Sequence, residues 1–546
     1  MKFVFAPLLG LVLTVNMVHA RSLAEAAVRK AKDLEAGCIV TGERIGGEVR
    51  FAMAGKVPDA KGTPPERIVF EIGSITKVFT GLLLAQAVVE KKVTLETTVG
   101  SLLDPRLKFA DPRIAAITLK QLSTHTSGLP RLAANAAEGM VEDDPYANYD
   151  EKLLLAYLTN AQLEGEAPYG CSYSNLGVGL LGQLLAKVYQ KPWEEAVKEK
   201  VCLPLGLNDT AVEPANLPRA VPYAGAKVVK PWHLDAMAGA GALRSTAADL
   251  MKFGEALLHP DDTPLKQAFA IALHPQADAP SMGGRIGLGI FIGTFEGETV
   301  LNHDGGTGGF CSGLQVIPGK SIVRVALINN NAMSGSAVIA AVSETKKPAR
   351  VAQQEIILPV EELPQYAGVY ELDRDARFTV LVHDDGLWVN LTGQPFLRAF
   401  AKKSDRFFYK AVQAEIAFNR KEGAIQSLTL FQNGRELTAK RVSNTPPGYK
   451  LRTSQELRPY AGEYLLLGSK KFTVTVVADT LFAQLEGQPA LPVFETSPDH
   501  FEYDAVKATL EFSRDANRGI KSLTLFQNGA EMTAPRTTGG VSGPPQ

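Results

Sequence analysis

Two stretches in the C-terminal third of the chain alternate apolar with polar residues, which is the period expected of β-strands. In the first stretch, apolar residues occupy Phe378, Val380 and Val382, and the alternation returns at Leu428 and Leu430. Asp-Gly and Asn-Gly pairs, which are typical of tight hairpin turns, interrupt these runs. The pattern predicts antiparallel strands joined by hairpins.

A set of short motifs occurs twice in this region, at an offset of about 94 residues. The repeated pieces are Tyr-Ala-Gly-x-Tyr (366–370 and 460–464), Phe-Thr-Val (378–380 and 472–474), Gly-Gln-Pro (393–395 and 487–489) and Ser-Leu-Thr-Leu-Phe-Gln-Asn-Gly (427–434 and 522–529). The repeat predicts two small all-β, barrel-like domains, residues 360–444 and 454–537. Residues 538–546, rich in Gly and Pro, are predicted to form a disordered tail.

The N-terminal part of the chain has a different pattern. Runs typical of buried or amphipathic helices, at residues 78–90, 176–189 and 247–258, alternate with short strand-like runs such as residues 299–301. This alternation predicts a mixed α/β domain over residues 21–350.

Residues 1–20 have the features of an export signal. A basic start at Lys2 precedes an apolar stretch over residues 3–18, and Val18-His19-Ala20 has the small-x-small form of a cleavage site. The alternative is a membrane anchor, but the apolar run is shorter than the roughly 20 residues that a membrane span requires. We expect cleavage after Ala20 and a periplasmic or secreted protein without a stable membrane span.

The amino-acid composition and the net charge exclude some classes of protein. The 546 residues include 57 basic and 58 acidic side chains, and 45% are hydrophobic, as in ordinary globular proteins. A balanced charge argues against nucleic acid as a partner, since nucleic-acid binders carry a basic excess. The four cysteines could pair in three ways, but their spacing matches no metal site, and buried thiols are the favoured interpretation. Neither a metal nor a cofactor is predicted.

The first candidate for chemistry is Ser74-Ile-Thr-Lys77, at the start of the apolar helical run. Three residues apart on a helix, the serine and lysine side chains lie on one face, where a partly desolvated amine can take the hydroxyl proton. The alternative is a serine that caps the helix beside an exposed lysine. A second Ser-x-x-Lys, at residues 343–346, has no buried helix after it, and we interpret it as a chance match.

The second candidate is Tyr173-Ser-Asn175, which precedes a glycine-bearing helical run. A loop at this place can direct a phenolate, as proton acceptor, and an amide into a cleft. Tyr146-Ala-Asn148 is a competitor, but it lies in a polar loop among carboxylates that would oppose a phenolate. The sequence therefore favours Tyr173.

The third candidate is His303-Asp-Gly305-Gly306, which follows a strand-like run. The glycines allow a strand edge to approach a substrate, and a free N–H beside them can form half of an oxyanion hole. His303 could hydrogen-bond to the tyrosine or to the substrate. The alternative is a hairpin in which the glycines only shape a turn.

The order of these three motifs resembles that of the penicillin-recognising serine hydrolases, in the class C β-lactamase-like branch. That branch includes D-aminopeptidases, esterases and carboxypeptidase-like proteins. Residues 122–130 (LSTHTSGLP) and 240–250 (AGALRSTAADL) are similar to further recurring sequences of the branch. In the first of these, His125 is expected to be a buried hydrogen-bonding residue rather than a catalyst. The resemblance covers about residues 30–340 and implies an α/β fold: an antiparallel sheet flanked by helices, an all-helical subdomain, and a cleft between them.

The resemblance also implies residue roles. Ser74 would be the acylated nucleophile and Lys77 its proton acceptor. Tyr173 would pass the proton to the leaving group and then activate the hydrolytic water. Asn175 would bind the substrate's amide, and the N–H groups of Ser74 and Gly306 would form the oxyanion hole.

The chain departs from the β-lactamases of this branch at the third motif, where they have Lys-Thr-Gly. His303 is mostly neutral near pH 7 and supplies no fixed charge for a β-lactam carboxylate. The family's D-aminopeptidases resemble this chain in carrying two C-terminal β-domains. We therefore predict hydrolysis of an amide or ester in D-amino-acid peptides or small esters. The alternatives are a β-lactamase and a weakly active protein that binds penicillin or peptidoglycan. The role of the β-domains and the oligomeric state are left open.

Overall fold

This computed structural model describes residues 22–55, 62–140, 144–215, 217–342, 355–432, 435–466, 470–486, 488, 490–527 and 529–537. The predicted leader at residues 1–20, the predicted tail at 538–546 and the second Ser-x-x-Lys at 343–346 lie outside the described residues.

An antiparallel sheet of eight strands forms the centre of the N-terminal domain. The strands of this domain are β1 (Cys38–Ile45), β2 (Glu48–Gly55), β3 (Phe70–Glu71), β4 (Tyr223–Ala224), β5 (Lys227–Val228), β6 (Arg244–Ser245), β7 (Ala277–Ala279), β8 (Gly284–Ile286), β9 (Phe291–Phe295), β10 (Glu298–Gly306), β11 (Cys311–Ile317) and β12 (Ile322–Ile328). The sheet order is β2-β1-β12-β11-β10-β9-β8-β7, while β3–β6 and β4–β5 are separate pairs. The order brings β1 and β12, from opposite ends of the domain's sequence, side by side in register.

The helices are α1 (Leu23–Lys30), α2 (Thr76–Val89), α3 (Val99–Leu102), α4 (Arg113–Ala116), α5 (Leu119–Ser123), α6 (Glu151–Asn160), α7 (Asn175–Tyr189), α8 (Trp193–Val197), α9 (Ala238–Gly241), α10 (Ala247–Leu258), α11 (Lys266–Ala272), α12 (Gly335–Ala340) and α13 (Ser454–Leu457). The three helices predicted from periodicity are α2, α7 and α10, each found within two residues of the predicted bounds. In the described part of the chain, no helix is long and apolar enough to cross a membrane.

Helices cover both faces of the central sheet, because its strands are apolar on both sides. Successive residues of a strand point to opposite faces. Along β12, Ala326 and Ile328 pack in one core with residues of α1 and α12, whereas Val325 and Leu327 belong to the main core, with residues of α10. This arrangement confirms the expected sheet flanked by helices.

The described residues between 76 and 241 form the helices α2 to α9 and, as strands, only the short β4–β5 pair. Helix α2 is apolar around its whole circumference, and eleven of its fourteen residues are buried. A helix of this kind belongs inside a core rather than on a surface. It contacts α5, α7, α9 and α11, so a polar side chain in its first turn is placed deep in the domain.

Each C-terminal repeat forms an eight-stranded antiparallel sheet. The strands are β13 (Gly368–Glu371), β14 (Arg377–His383), β15 (Gly386–Leu391), β16 (Leu397–Lys403), β17 (Arg406–Tyr409), β18 (Ala414–Lys421), β19 (Ala424–Gln432) and β20 (Arg435–Ser443), and then β21 (Gly462–Leu466), β22 (Lys470–Val477), β23 (Thr480–Leu485), β24 (Leu491–Ser497), β25 (His500–Tyr503), β26 (Ala508–Arg514), β27 (Ile520–Gln527) and β28 (Ala530–Pro535). The first sheet closes into a barrel, and in the second an isolated bridge joins Tyr464 of β21 to Arg536, the residue that follows β28. The prediction of barrel-like domains is confirmed.

The repeated tyrosines make equivalent hydrogen bonds in the two barrels. The hydroxyl of Tyr370 donates to the carbonyl of Tyr366 at 2.8 Å, and that of Tyr464 donates to the carbonyl of Tyr460 at 2.7 Å. Burying a phenol is costly unless its hydroxyl is paired. The Tyr-Ala-Gly-x-Tyr motif is therefore a packing element of each barrel.

All four cysteines are free thiols, and Cys38, Cys171 and Cys202 are buried. Burial raises the pKa of each thiol to about 12, which leaves it protonated and unreactive at neutral pH. The favoured interpretation as buried thiols is confirmed for these three, while Cys311 is a half-buried thiol. Within the described ranges, no group of three or more His, Cys, Asp or Glu residues is arranged to hold a metal ion.

Candidate active site

Ser74 lies in a 3-10 turn, Gly73–Ile75, that leads directly into α2. One turn later Lys77 is only 1% exposed, and its Nζ lies 3.0 Å from Ser74 Oγ. The same Nζ donates to the carbonyl of Ala240 at 2.6 Å. Burial lowers the pKa of Lys77 well below its ordinary value of 10.5, and the positive charge of Arg131 lowers it further. A lysine in this environment can be a neutral base for the serine hydroxyl.

Tyr173 lies in the loop that leads into α7. Lys77 Nζ is 5.0 Å from the centre of its ring, and the guanidinium carbon of Arg131 is 5.1 Å from it. Burial raises the pKa of Tyr173 to about 12, although a hydrogen bond with Ser74 and the charge of Arg131 oppose the shift. With this pKa the resting Tyr173 is a phenol, and its role as a proton acceptor stays a prediction.

The pKa of Lys77 is lowered and that of the neighbouring Tyr173 is raised, and the two shifts have the same cause. Desolvation favours the uncharged form of every ionisable side chain. It lowers the pKa of Lys77, which favours the uncharged amine that can accept a proton, and it raises the pKa of Tyr173, which favours the phenol that can donate one. A pair of groups with their pKa values displaced in this way is typical of acid–base sites.

Asn175 is the first residue of α7, and its N–H donates to the carbonyl of Arg131 at 3.0 Å. Its side-chain oxygen is buried and has no hydrogen-bond partner among the described residues. Buried polar atoms are normally paired, so this unpaired amide oxygen, in the pocket that Asn175 shares with Ser74, is available to a hydrogen-bond donor of a ligand.

The end of β10 lies against the turn that carries Ser74. At Gly73, where φ is +47°, a Cβ atom would lie 2.6 Å from the nitrogen of Gly306, and at Gly305 it would lie 2.0 Å from the carbonyl oxygen of Ile72. Side chains at either position would force the two segments apart. The two glycines therefore permit the close approach that places Ser74 and Gly306 on the wall of one pocket.

His303 is buried beneath the site. Its Nδ1 lies 2.6 Å from the carbonyl oxygen of Asp304, which can only accept, so Nδ1 carries the proton. Burial lowers the pKa of His303 to about 3, with a smaller contribution from the charge of Lys77, and the ring is neutral near pH 7 as expected. In the described structure no hydrogen bond joins His303 to Tyr173, whose ring centre is 6.3 Å away. Its contact with substrate stays a prediction.

His125 holds the loop of Tyr173 from the other side. Its Nδ1 accepts from the N–H of Ser174 at 3.1 Å, and its carbonyl accepts from the N–H of Ser172 at 2.8 Å. The centres of the imidazole ring and the Tyr173 ring are 4.4 Å apart. Its expected role as a buried hydrogen-bonding residue is confirmed.

The pocket beside Ser74 also contains residues that the sequence did not indicate. Its lining consists of Ser74, Tyr146, Asn175, Trp232, Leu234, Met237, Ala240, Gly241, Gly306 and Thr307. Tyr146 meets Trp232 edge to face, with ring centres 5.2 Å apart. Tyr146 therefore belongs to the pocket wall, although sequence reasoning set it aside as part of a polar loop. No local pattern distinguishes Trp232.

Comparison with known proteins agrees with this geometry. The family described as Beta-lactamase matches residues 32–345, which is more than half of the chain. The chain belongs to the beta-lactamase family. A second family, described as a domain of unknown function (DUF3471), matches residues 352–441, which overlap the first barrel.

Relatives of this chain include proteins named as a D-alanyl-D-alanine-carboxypeptidase/endopeptidase and as penicillin-binding proteins. It is 27% identical over 280 residues to the D-alanyl-D-alanine-carboxypeptidase/endopeptidase AmpH of Escherichia coli (strain K12), a match that covers 49% of this chain and 72% of AmpH. It is 24% identical to Penicillin-binding protein 4* of Bacillus subtilis (strain 168), over 68% of this chain and 88% of that protein. The chain is a serine hydrolase that acts through an acyl-enzyme.

The fold is also similar to a solved structure. A beta-lactamase/D-alanine carboxypeptidase from Pseudomonas syringae superposes with a TM-score of 0.50 at 22% identity, covering 60% of this chain and 99% of that protein. At this identity the similarity concerns the fold alone.

Proposed function

We propose that this hydrolase cleaves an amide or ester bond through an ester of Ser74, in D-amino-acid peptides or small esters. The observation that carries the proposal is the buried amine of Lys77, whose Nζ lies 3.0 Å from Ser74 Oγ and whose pKa is lowered by burial. A serine hydroxyl becomes a nucleophile only when a neighbouring base takes its proton. The similarity to AmpH, named a D-alanyl-D-alanine-carboxypeptidase/endopeptidase, supports a D-amino-acid peptide as substrate.

In the acylation step Lys77 takes the proton of Ser74 as the oxygen attacks the substrate's carbonyl carbon. The N–H groups of Ser74 and Gly306 would stabilise the resulting oxyanion, aided by the start of α2. The side-chain amide of Asn175 would bind the substrate's own amide group. The bond to the leaving group then breaks, and the Tyr173 phenol, with a pKa of about 12, gives that group its proton.

Deacylation reverses these roles. The tyrosinate takes a proton from a water molecule. The resulting hydroxide attacks the carbonyl carbon of the acyl group. The ester bond to Ser74 breaks, the acid product leaves, and the proton held by Lys77 returns to the serine oxygen. Each group ends the cycle in its original state.

Cleavage of β-lactams is the competing function. The neutral, buried ring of His303 provides no cation at the third motif for the carboxylate of a β-lactam. We therefore expect peptides or esters to be turned over faster than β-lactams. An inactive binding protein is the third possibility, and the complete set of Ser74, Lys77 and Tyr173 argues against it.

The decisive experiment is covalent labelling followed by intact-mass measurement. After incubation with a fluorophosphonate or a penicillin, we expect one adduct on the wild-type chain and none on Ser74→Ala. An unlabelled wild-type chain, or an adduct that persists in Ser74→Ala, would exclude the acyl-Ser74 mechanism. Rates on p-nitrophenyl esters, D-aminoacyl p-nitroanilides and a chromogenic cephalosporin then rank the substrate classes.

We also propose that the chain is exported and that residues 1–20 are removed, on the basis of the basic, apolar and small-x-small segments in that order. N-terminal sequencing of protein recovered from the periplasm or medium is expected to begin at Arg21. Recovery of only the uncleaved chain in the cytoplasm would contradict this proposal.

A further inference from the structure

The first barrel contacts the catalytic domain next to Tyr173. The contact is made by the turn between β13 and β14, residues 372–376, which we call the acidic turn. One carboxylate oxygen of Asp375 accepts from the hydroxyl of Ser172 at 2.8 Å, and the other accepts from the N–H of Tyr173 at 3.1 Å. A residue from another domain thus holds the backbone of the proposed proton donor.

Asp373 gives the acidic turn a defined shape. One of its carboxylate oxygens accepts from the N–H groups of Asp375 and Ala376, at 3.1 and 3.0 Å. The other accepts from the N–H of Ser281 in the catalytic domain at 2.8 Å. Asp373 is buried, so these bonds are sheltered from water and restrict the direction in which Asp375 can point.

Arg374, between the two aspartates, makes a third contact with the catalytic domain. Its guanidinium donates to the carbonyl of Gly128 at 3.3 Å and lies 5.9 Å from the ring centre of Tyr169. Three consecutive residues of the turn therefore bind three separate segments of the catalytic domain, which fixes the position of the turn as well as its shape.

The backbone hydrogen bonds of residues 172–174 show which N–H group depends on Asp375 for its partner. The N–H groups of Ser172 and Ser174 are both satisfied by His125, within the catalytic domain. The N–H of Tyr173, between them, is satisfied by Asp375. The first barrel thus supplies the partner for the one backbone N–H in this stretch that belongs to the proposed proton donor.

The two repeats differ at this turn. In both copies the same number of residues separates the Tyr-Ala-Gly-x-Tyr motif from the Phe-Thr-Val motif. Between these motifs the first copy has Asp-Arg-Asp at 373–375, whereas the second has Leu-Gly-Ser at 467–469. Barrel packing therefore does not require the two aspartates, and they occur in the copy whose turn lies beside Tyr173.

From these contacts we propose that Asp375 is a positioning residue that fixes the Tyr173 phenol relative to Ser74 and Lys77. The first barrel is then part of the catalytic apparatus, although none of its residues takes part in a chemical step. The role rests on the proposed function of Tyr173. Proton transfer depends on placement within a fraction of an ångström, so a loosened loop lowers the rate without removing a reacting group.

The test compares Asp375→Ala, Asp375→Asn and Asp385→Ala in the otherwise unchanged chain. We expect Asp375→Ala to lower kcat by about ten- to a hundredfold, the range for a small misplacement, with little change in KM. Asp375→Asn keeps a side-chain oxygen for the Tyr173 N–H and should retain most of the activity. Asp385 lies in the next turn of the same barrel and pairs with Arg398, so Asp385→Ala controls for loss of a barrel carboxylate.

A double-mutant cycle separates positioning of Tyr173 from a general structural role. If Asp375 acts through the phenol, Asp375→Ala lowers kcat in the wild-type background but has little further effect in Tyr173→Phe. An equal loss of activity in both backgrounds, or wild-type kcat in Asp375→Ala, would overturn the proposal.

The labelling experiment distinguishes failure of this proposal from failure of the proposed function. A wild-type chain that forms no adduct refutes the acyl-Ser74 mechanism. If the wild-type chain is labelled at Ser74 and Asp375→Ala has wild-type turnover, only the positioning role is refuted. If Asp375→Ala is labelled at Ser74 to the same final extent as the wild type but turns over a D-aminoacyl p-nitroanilide more slowly, both proposals are supported.

Discussion

Replacing Lys77 by methionine should lower turnover by about 10⁴-fold, the upper end of the contribution of a positioned acid or base. Methionine is apolar and of similar length, so it suits the buried site but cannot take the proton of Ser74. The fluorophosphonate adduct should form correspondingly slowly. Lys187→Met, which removes an exposed lysine from α7, is the control and should keep wild-type rates. Wild-type rates in Lys77→Met would rule out Lys77 as the base.

The pH dependence provides an independent measure of the same group. Lys77 is active when uncharged, so wild-type activity should fall as pH decreases through its lowered pKa. The unfolded chain holds a proton on Lys77 up to about pH 10.4, whereas the folded chain releases it at lower pH. Between these two values the unfolded state binds more protons, and the stability of the folded state therefore rises with pH.

Calorimetry can test that relation. We expect the wild-type catalytic domain to gain stability relative to Lys77→Met as the pH is raised from 6 to 9, because only the wild type has the buried amine. Lys187→Met should follow the wild-type profile over the same range. A stability difference between wild type and Lys77→Met that is independent of pH would contradict a lowered pKa.

Replacing Tyr173 by phenylalanine should lower turnover of amides by about 10²- to 10⁴-fold, since it removes the proton donor to the leaving group. Tyr146→Phe is the matched variant from the same pocket and should have little effect. An aniline leaves only after it is protonated, whereas p-nitrophenolate leaves readily as an anion. The loss in kcat/KM should therefore be larger for a D-aminoacyl p-nitroanilide than for a p-nitrophenyl ester.

Two outcomes would contradict this assignment. If Tyr146→Phe were the damaging substitution and Tyr173→Phe harmless, the second motif would be assigned to the wrong tyrosine. If Tyr173→Phe lowered kcat/KM equally for both leaving groups, Tyr173 would act elsewhere than in proton donation to the leaving group.

Local sequence was sufficient to predict the main helices, the two β-domains and part of the candidate active site. Period-two alternation and an internal repeat predicted two β-barrels, and an apolar run predicted α2 to within two residues. Spacing of three residues was enough to place Lys77 beside Ser74, because a helical turn fixes that geometry. Motif order, through the family it resembles, indicated Tyr173 and Asn175 as well.

The other features of the active site depend on the tertiary structure. Sequence reasoning set Tyr146 aside as a site residue because its loop carries carboxylates. In the fold it contacts Trp232 and lines the pocket. Asp375 lies 202 residues after Tyr173, and no periodicity relates positions so far apart. Proton states also depend on the fold, since desolvation comes from the atoms packed around a group and not from its sequence neighbours. The sequence by itself determined which groups this hydrolase has, and the packed fold decided that the pKa of its lysine is lowered and the pKa of its tyrosine is raised.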